Sequence, residues 1–275
     1  MIGRIDIEAA LAAAHAAADA ARGPCLAQFR AAGLTVDNKA PDAAAGGFDP
    51  VTTADRAAER AIRETLSRLR PADAQRGEEE ADRPGTSGLE WVIDPIDGTR
   101  AYLCGAPTWG VLIALNAGGR PLIGIIDQPF TGERFAGVAT GGDRRAVWTR
   151  AGASRPLRTR ACPTLDRAIL LSTFPEIGTA AERAGFEAVR DRARLTRYGL
   201  DCYGYALIAL GMVDLVIEAG LGAYDVQALI PVIEGAGGVV TDWKGGDCSE
   251  GGRVLAAGDP RVHAEALALL RGVAE

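Results

Sequence analysis

A chain of 275 residues with 48% hydrophobic and 24% charged residues is ordinary globular material, long enough for one large domain or two packed halves. Its formal net charge of −6 and pI near 5.2 argue against a nucleic-acid-binding surface, and no apolar run approaches the ~18 residues of a membrane span. Two histidines and five scattered cysteines without a C-x-x-C pair disfavour zinc sites, disulfide frameworks and Ser-His-Asp hydrolysis, and point to a reducing, cytoplasmic setting.

In chain order, Ile5 to Arg30 is Ala-dominated and helical in propensity, with a break or kink expected at Gly23-Pro24. Asp6, Glu8 and Asp19, and the lack of a basic leader, make it a helix of the folded body and not a signal peptide. Val36 to Gly47, with Asn38, Pro41, Asp42 and Gly46-Gly47, reads as a mobile loop or hairpin. A second helix starts near Thr52 or Thr53, carries Ala58, Ile62, Leu66 and Leu69 at helical spacing, and stops before Pro71. Polar residues from Arg76 to Gly88 then lead into an apolar strand ending at Trp91-Val92-Ile93. A short helix after Thr99 precedes a β meander over Trp109–Asn116, Leu122–Gln128, Arg134–Ala139 and Ala146–Thr149. Beyond Leu157, strands (Ile169–Thr173, Leu195–Tyr198, Leu215–Glu218, Gly238–Thr241, Val254–Ala257) alternate with helices (Thr179–Arg190, Cys202–Leu210, Val226–Ala236, Arg261–Leu270). That alternation predicts a small α/β unit, packed on the first half without a flexible hinge.

The stretch that carries chemistry is Asp94-Pro95-Ile96-Asp97-Gly98-Thr99. Pro95 removes a donor and fixes its own φ, so the strand is expected to end in a tight turn where both aspartates converge. Gly98 lets a ligand approach the backbone, and Thr99 suits the N-cap of the next helix. Carboxylates beside free amides at a helix start suit a divalent cation holding a phosphate. An ordinary Asp- and Gly-rich turn explains the same residues equally well. Asp55 falls in the first turn of the second helix, where Thr52-x-x-Asp55 also reads as a capping box. Glu78 to Glu80 also fits a solvated charge run, and Asp225, after Gly220, Gly222 and Tyr224, an N-cap.

Together these blocks resemble the inositol monophosphatase superfamily. Asp49-Pro50-Val51-Thr52-x-x-Asp55, Gly77-Glu78-Glu79, Asp94-Pro95-Ile96-Asp97-Gly98-Thr99 and Tyr224-Asp225-x-x-Ala228 stand in the family's order, and Glu234-Gly235-Ala236-Gly237-Gly238 resembles its Glu-Ala-Gly-Gly element. Nearly the whole chain is covered. Arg197-Tyr198-Gly199-x-Asp201-Cys202-Tyr203 and Ile126-Asp127-Gln128-Pro129 are similar to the histidinol-phosphatase branch. The resemblance implies an α+β / α/β fold, a layered αβαβα sandwich of the inositol monophosphatase / fructose-1,6-bisphosphatase type. Residues 1–155 would form the half with most metal ligands, and 156–275 the half with the last ligand and the substrate-selecting residues.

The resemblance also implies roles. Glu78, Asp94 and the Ile96 carbonyl would hold one Mg²⁺; Asp94, Asp97 and Asp225 would hold a second, and some members bind a third near the same Glu. Gly98 and Thr99 would receive the phosphate, and Thr99 with Asp55 would orient and deprotonate a metal-bound water. Asp55, Thr99 and Glu78 are thus the implied catalytic residues, and a homodimer the implied assembly. Some positions depart from the family pattern. Asp73, Gln75 and Arg76 precede Gly77 where apolar strand residues are common, which makes Glu79 the fallback ligand. Tyr224 replaces the commoner Trp, Leu200 stands where the histidinol-phosphatase branch has a small residue, and Ala43 to Gly46 looks like an insertion in a loop that often covers the site.

Substrate choice must come from outside the phosphate turn. Glu218, seven residues before Asp225, occupies the position from which related enzymes contact the alcohol, and Asp201 heads the Cys202 helix, as a second contact or an N-cap. Two carboxylates suit the ammonium and imidazole of histidinol phosphate; one Glu serves the hydroxyls of an inositol phosphate. Arg100 reads as a surface charge. The expected protein is a Mg²⁺-dependent phosphomonoesterase acting on a small-molecule phosphate monoester, with no nucleic-acid or membrane partner. L-histidinol phosphate, within histidine biosynthesis, is favoured over inositol 1-phosphate or another small polyol or nucleotide phosphate. A non-catalytic partner-binding protein is the alternative of a different class, and Asp55, Asp94, Asp97, Thr99 and Asp225 together argue against it.

Overall fold

The computed structural model describes residues 5–32, 36–38 and 50–273. Helix α1 (Ile7–Gln28) is followed by the antiparallel pair β1 (Val36–Asn38) and β2 (Pro50–Thr52), then by helix α2 (Thr53–Leu69). The stretch expected as a mobile loop or hairpin thus begins in one strand of an antiparallel pair; Ala43 to Gly46, expected as an insertion, and Asp49 lie outside the described residues. Helix α1 runs through Gly23-Pro24 without a break. The missing hydrogen bond is outweighed by packing, because its buried face, Ala10 to Cys25, is continuous with that of α2 and the sheet beneath. Leu69, expected on the buried face of α2, is 46% exposed in the last turn of the helix.

Strands β3 (Ala74–Gly77) and β4 (Leu89–Asp97) lead through the short helix α3 (Thr99–Leu103) to β5 (Gly110–Ala117), β6 (Arg120–Gln128), β7 (Glu133–Ala139), β8 (Arg144–Arg150) and β9 (Ala153–Pro156). They form a seven-stranded sheet in sequence order, antiparallel apart from the β3–β4 pair. The meander is as expected from its turns, with β9 as an added edge strand. Strand β3 is a correction: its polar sequence forms a strand beside β4, with some of the polar side chains in and before it bonded by neighbouring elements. Asp73 accepts from Trp91 Nε1 (3.0 Å) and Arg70 Nε (2.8 Å), and Gln75 donates to Ser67 Oγ (3.1 Å).

The second sheet has five strands, in the order β11 (Leu195–Tyr198), β10 (Ile169–Ser172), β12 (Leu215–Leu221), β14 (Gly252–Ala257) and β13 (Val239–Thr241). Helices α4 (Ala180–Arg190) and α8 (Pro260–Leu270) cover its outer face; α5 (Asp201–Ala209) and α7 (Leu229–Gly235) lie between the sheets. The single helix expected over Val226–Ala236 is instead two, α6 (Ala223–Val226) and α7, joined by a turn.

Side-chain alternation explains the layering. In β4 and β5, Trp91, Ile93, Val111, Ile113 and Leu115 pack under α1 and α2, whereas Val92, Leu112 and Ala114 pack against the inter-sheet helices. Both faces of the sheet are apolar, so both must be covered. The result is the expected αβαβα sandwich. All five cysteines are free, and no helix among the described residues is long and apolar enough to cross a membrane.

The turn between α6 and α7 rests on the seven-stranded sheet at Gly124, where an added Cβ would lie 2.0 Å from the Ala228 carbonyl oxygen. Because backbone cannot swing aside as a side chain does, Gly124→Ala should lower stability by about 1–3 kcal/mol. Urea unfolding followed by tryptophan fluorescence checks this; an unchanged midpoint would show that the turn yields freely.

Candidate active site

Strand β4 does not stop at Pro95 as expected; it bulges. Asp94 pairs with Leu112 and Asp97 with Gly110, so three steps on β4 oppose two on β5. In a regular strand, residues three apart face opposite sides, and the extra residue brings Asp97 round to the side of Asp94. Pro95 fits the unpaired position because it has no N–H to satisfy. Gly98 then turns left-handed (φ 82°) and serves as N-cap of α3, the place foreseen for Thr99. Its missing side chain has a second use, since a Cβ there would stand 2.8 Å from Asp201 Cγ. Thr99 is the first helical residue, and its hydroxyl donates to the Ile96 carbonyl at 3.2 Å.

A backbone amide fixes each of the four candidate aspartates. Asp94 Oδ1 accepts from Ile96 N (3.0 Å), Asp97 Oδ2 from Cys202 N (2.7 Å), Asp225 Oδ2 from Gly222 N (2.6 Å) and Asp55 Oδ2 from Thr52 N (2.8 Å). Asp225 is thus the third residue of α6 reaching back to its Gly222 cap; it is not itself the N-cap. The Asp97 contact crosses from one sheet's elements to the other's, because Cys202 lies in the first turn of α5. So held, Asp94, Asp97 and Asp225 each present an oxygen within 4.8 Å of the others.

Asp55 forms the expected capping box and keeps one oxygen unused. The capping box with Thr52 is formed through Oδ2, while Oδ1 is buried and has no hydrogen-bond partner. Burial raises its pKa to about 6 against the pull of the Thr52 hydrogen bonds, with Glu79 adding to the rise. Glu78 stands beside Asp94: Gly77 is in register with Ile93, so the next residue of each strand leaves the ladder together. Asp94 and Asp97 are both pushed well above the ordinary carboxylate range, first by burial and then by charge, chiefly Glu78 for Asp94 and Asp225 for Asp97. Glu79, the fallback ligand, acts electrostatically on Asp55.

A cleft of about 600 Å³ opens over this floor, lined by Asp97, Thr99, Phe174, Asp201, Glu218 and Asp225 among others. Glu218 is held from three sides, by the Thr173 amide (2.8 Å), the Thr173 hydroxyl and the Tyr205 hydroxyl (2.9 Å), and burial lifts its pKa to about 7. Asp201 heads α5 with φ 47° after the Leu200 cap; it accepts from Thr108 Oγ1 (3.1 Å), and burial raises its pKa to about 6. Arg100 is exposed as expected, but its guanidinium lies 5.0 Å from the centroid of the Phe174 ring at the cleft rim.

The donor set fits a hard divalent cation. It is made of oxygen alone, its members repel one another, and its oxygens gather within 4.8 Å of one another.

The inositol monophosphatase family model matches residues 6–274. The chain belongs to the inositol monophosphatase family. Within it, the chain is 36% identical over 264 residues to a histidinol-phosphatase of Streptomyces coelicolor, covering 94% of this chain and 95% of that one. It is 41% identical over 231 residues to a chloroplastic bifunctional phosphatase of Arabidopsis thaliana, a match spanning 80% of this chain and 65% of the plant protein. An inositol monophosphatase of Zymomonas mobilis superposes with a TM-score of 0.82 at 39% identity, over 97% of this chain and 99% of that one. The family's chemistry makes this chain a phosphomonoesterase, and its acidic cluster corresponds to the family's use of metal ions.

Sequence reasoning missed two charged residues that bond the backbone just after Glu78. Glu59 and Arg63 are buried charges at one and two helical turns from Asp55, and their spacing on a face that also carries Ala58, Ile62 and Leu66 is the signal that marks them.

The raised carboxyls fix a pH dependence. A carboxyl whose pKa is higher folded than unfolded binds its proton more tightly in the folded state, so stability falls as pH rises through the interval between the two values. For Asp55 that interval runs from 3.8 to about 6, and for Glu218 from 4.5 to about 7. Asp55 alone costs the folded state on the order of 3 kcal/mol above it. Chelator-treated protein should melt several degrees lower at pH 8 than at pH 5, and a saturating divalent cation should remove the difference. Scanning calorimetry showing metal-free protein more stable at pH 8 would contradict this electrostatic account.

Proposed function

We propose that the protein is a Mg²⁺-dependent phosphatase that hydrolyses L-histidinol phosphate to L-histidinol and phosphate, and that it works in the cytoplasm as a homodimer. The observation that carries the substrate choice is the acidic wall of the cleft, where Asp201 and Glu218 face the same space as the phosphate turn. Histidinol offers an ammonium and an imidazole, and two fixed carboxylates are the complement of such a cationic alcohol. The 36% identity to the Streptomyces histidinol-phosphatase, over nearly the full length of both chains, supports it. Inositol 1-phosphate is the second reading, favoured by the likeness to the Zymomonas protein.

In this reading Glu78, Asp94 and the Ile96 carbonyl would hold one ion, and Asp94, Asp97 and Asp225 would hold a second. Bound there, Mg²⁺ supplies positive charge to the phosphoryl oxygens and makes a nearby water more acidic. The protein's own groups do the rest. Amides of Gly98 and Thr99 receive phosphate oxygens at the start of α3. Asp55 Oδ1, buried and without a partner, takes the proton of the attacking water, and Thr52 keeps the carboxyl from turning. Thr99, whose hydroxyl is directed by the Ile96 carbonyl, orients that water. Asp201 and Glu218 hold the departing alcohol; Thr173 and Tyr205 keep Glu218 in place.

Asp55→Asn should lower kcat by about 10²–10⁴-fold with KM little changed, because it removes the proton acceptor but not the binding groups. Asp94→Asn should abolish turnover with the fold retained by circular dichroism; full activity in that variant would refute the ligand assignment. The deciding comparison is kcat/KM for L-histidinol phosphate against inositol 1-phosphate, expected to favour the former by at least about tenfold, the discrimination a fixed charged contact provides. Equal or reversed values would move the assignment to the inositol ester.

A further inference from the structure

Glu59 is a fully buried carboxylate, and both of its oxygens are used on one target. Oε2 accepts from the amide of Glu79 (2.8 Å); Oε1 accepts from the amide of Glu80 (3.1 Å) and from Arg63 Nε (2.7 Å). Arg63, 8% exposed, completes the grip from the carbonyl side: Nη2 donates to Glu80 O (2.9 Å) and Nη1 to Ala81 O (3.2 Å). The turn closes tightly on the pair, because a Cβ at Gly77 would fall 2.1 Å from Glu59 Oε1.

Two charges on α2 thus hold the donors and acceptors of a three-residue backbone segment that begins directly after Glu78. Stability alone is a poor reason for the arrangement, since burying an ion pair rarely beats well-packed apolar side chains. Position is a better one. Asp55, Glu59 and Arg63 recur every four residues on one face of α2, so a single rigid helix carries both the proton-accepting carboxyl and the clamp on the glutamate turn.

We propose that Glu59 and Arg63 are positioning residues that hold the turn after β3 so that Glu78 stands beside Asp94, and that they thereby set the protein's affinity for its divalent cation. The proposal rests on the metal reading above. Glu59→Gln keeps the volume but replaces one acceptor oxygen with an amide that opposes a backbone N–H. Arg63→Lys keeps the charge but loses the planar fork. Calorimetric titration of chelator-treated protein with Mg²⁺ and with Mn²⁺ should show a Kd raised about 10–100-fold by Glu59→Gln and by a smaller factor in Arg63→Lys, the range for groups that orient metal ligands. Hydrogen exchange at the amides of Glu79 and Glu80 should accelerate in both variants. At saturating metal, KM should return to the wild-type value, which a general loss of structure would not allow. Glu64→Gln, on the exposed face of the same helix, should bind metal as the wild type does. Absence of cation binding by the wild-type protein would overturn the metal reading. Wild-type binding with unchanged Kd in both variants, or in Arg63→Lys alone should Glu59→Gln not fold, would overturn the positioning role.

Discussion

Everything in the site depends on holding like charges together where water is scarce. Asp94, Asp97 and Asp225 present oxygens within 4.8 Å of one another, and at an effective dielectric of ~20 each ionised pair repels by at least about 3 kcal/mol. The backbone offsets part of this. Each carboxylate accepts one N–H, a charge-assisted bond worth about 1.5–3 kcal/mol, which also prevents the side chain from rotating away. The remainder adds to burial, the larger cause, in raising the pKa values of Asp94 and Asp97. Such a cluster is stable either with protons on it or with a cation in it, and the oxygen-only donor set selects a hard one.

Local geometry explains why D-P-I-D-G-T carries so much. Two aspartates three apart cannot share a side of a regular strand, and the bulge at Pro95 and Ile96 is what lets them. Gly98 then meets two requirements at once, a left-handed φ and contact with Asp201, so no other residue fits without moving α5. The same helix donates the Cys202 amide to Asp97. The turn is thus a joint between the two sheets, and the order of its residues is set by both.

How much of this was legible in the residues follows from the range of each interaction. The meander and the alternating strands and helices could be read, because period and turn residues are local signals; the αβαβα layering and the grouping of Asp55, Glu78, Asp94, Asp97 and Asp225 came with the family resemblance. The strand at Ala74–Gly77 could not be foreseen, since its polar residues are satisfied by Trp91, Arg70 and Ser67 from elsewhere in the chain. The continuous α1 overrode a Gly-Pro pair by packing that a propensity scale does not contain. Splitting of the Asp225 helix had a signal that went unread: Pro231 falls in the first turn of α7, where its missing N–H costs no intrahelical bond. Glu59 and Arg63 share a face of α2 with Ala58, Ile62 and Leu66, and the fold shows that solvent is absent there.

The arrangement of the cleft bears on how substrate and chemistry separate. Asp55, Asp94 and Asp97 come from α2 and the end of β4, and their partners are backbone groups and Thr52, so nothing about them depends on the alcohol being released. Glu218 is oriented by Thr173 and Tyr205, which touch none of those aspartates through a hydrogen bond recorded among the described residues. Asp201 is the exception, packed against Gly98 while facing the cleft. A change at Glu218 can therefore reshape the cleft without disturbing the turn at Gly98, whereas a change at Asp201 reaches both. The strained backbone of Asp201 at φ 47° is held by its neighbours: the next residue's amide, that of Cys202, is bound by Asp97, Gly98 packs against its side chain, and Thr108 donates to its carboxylate.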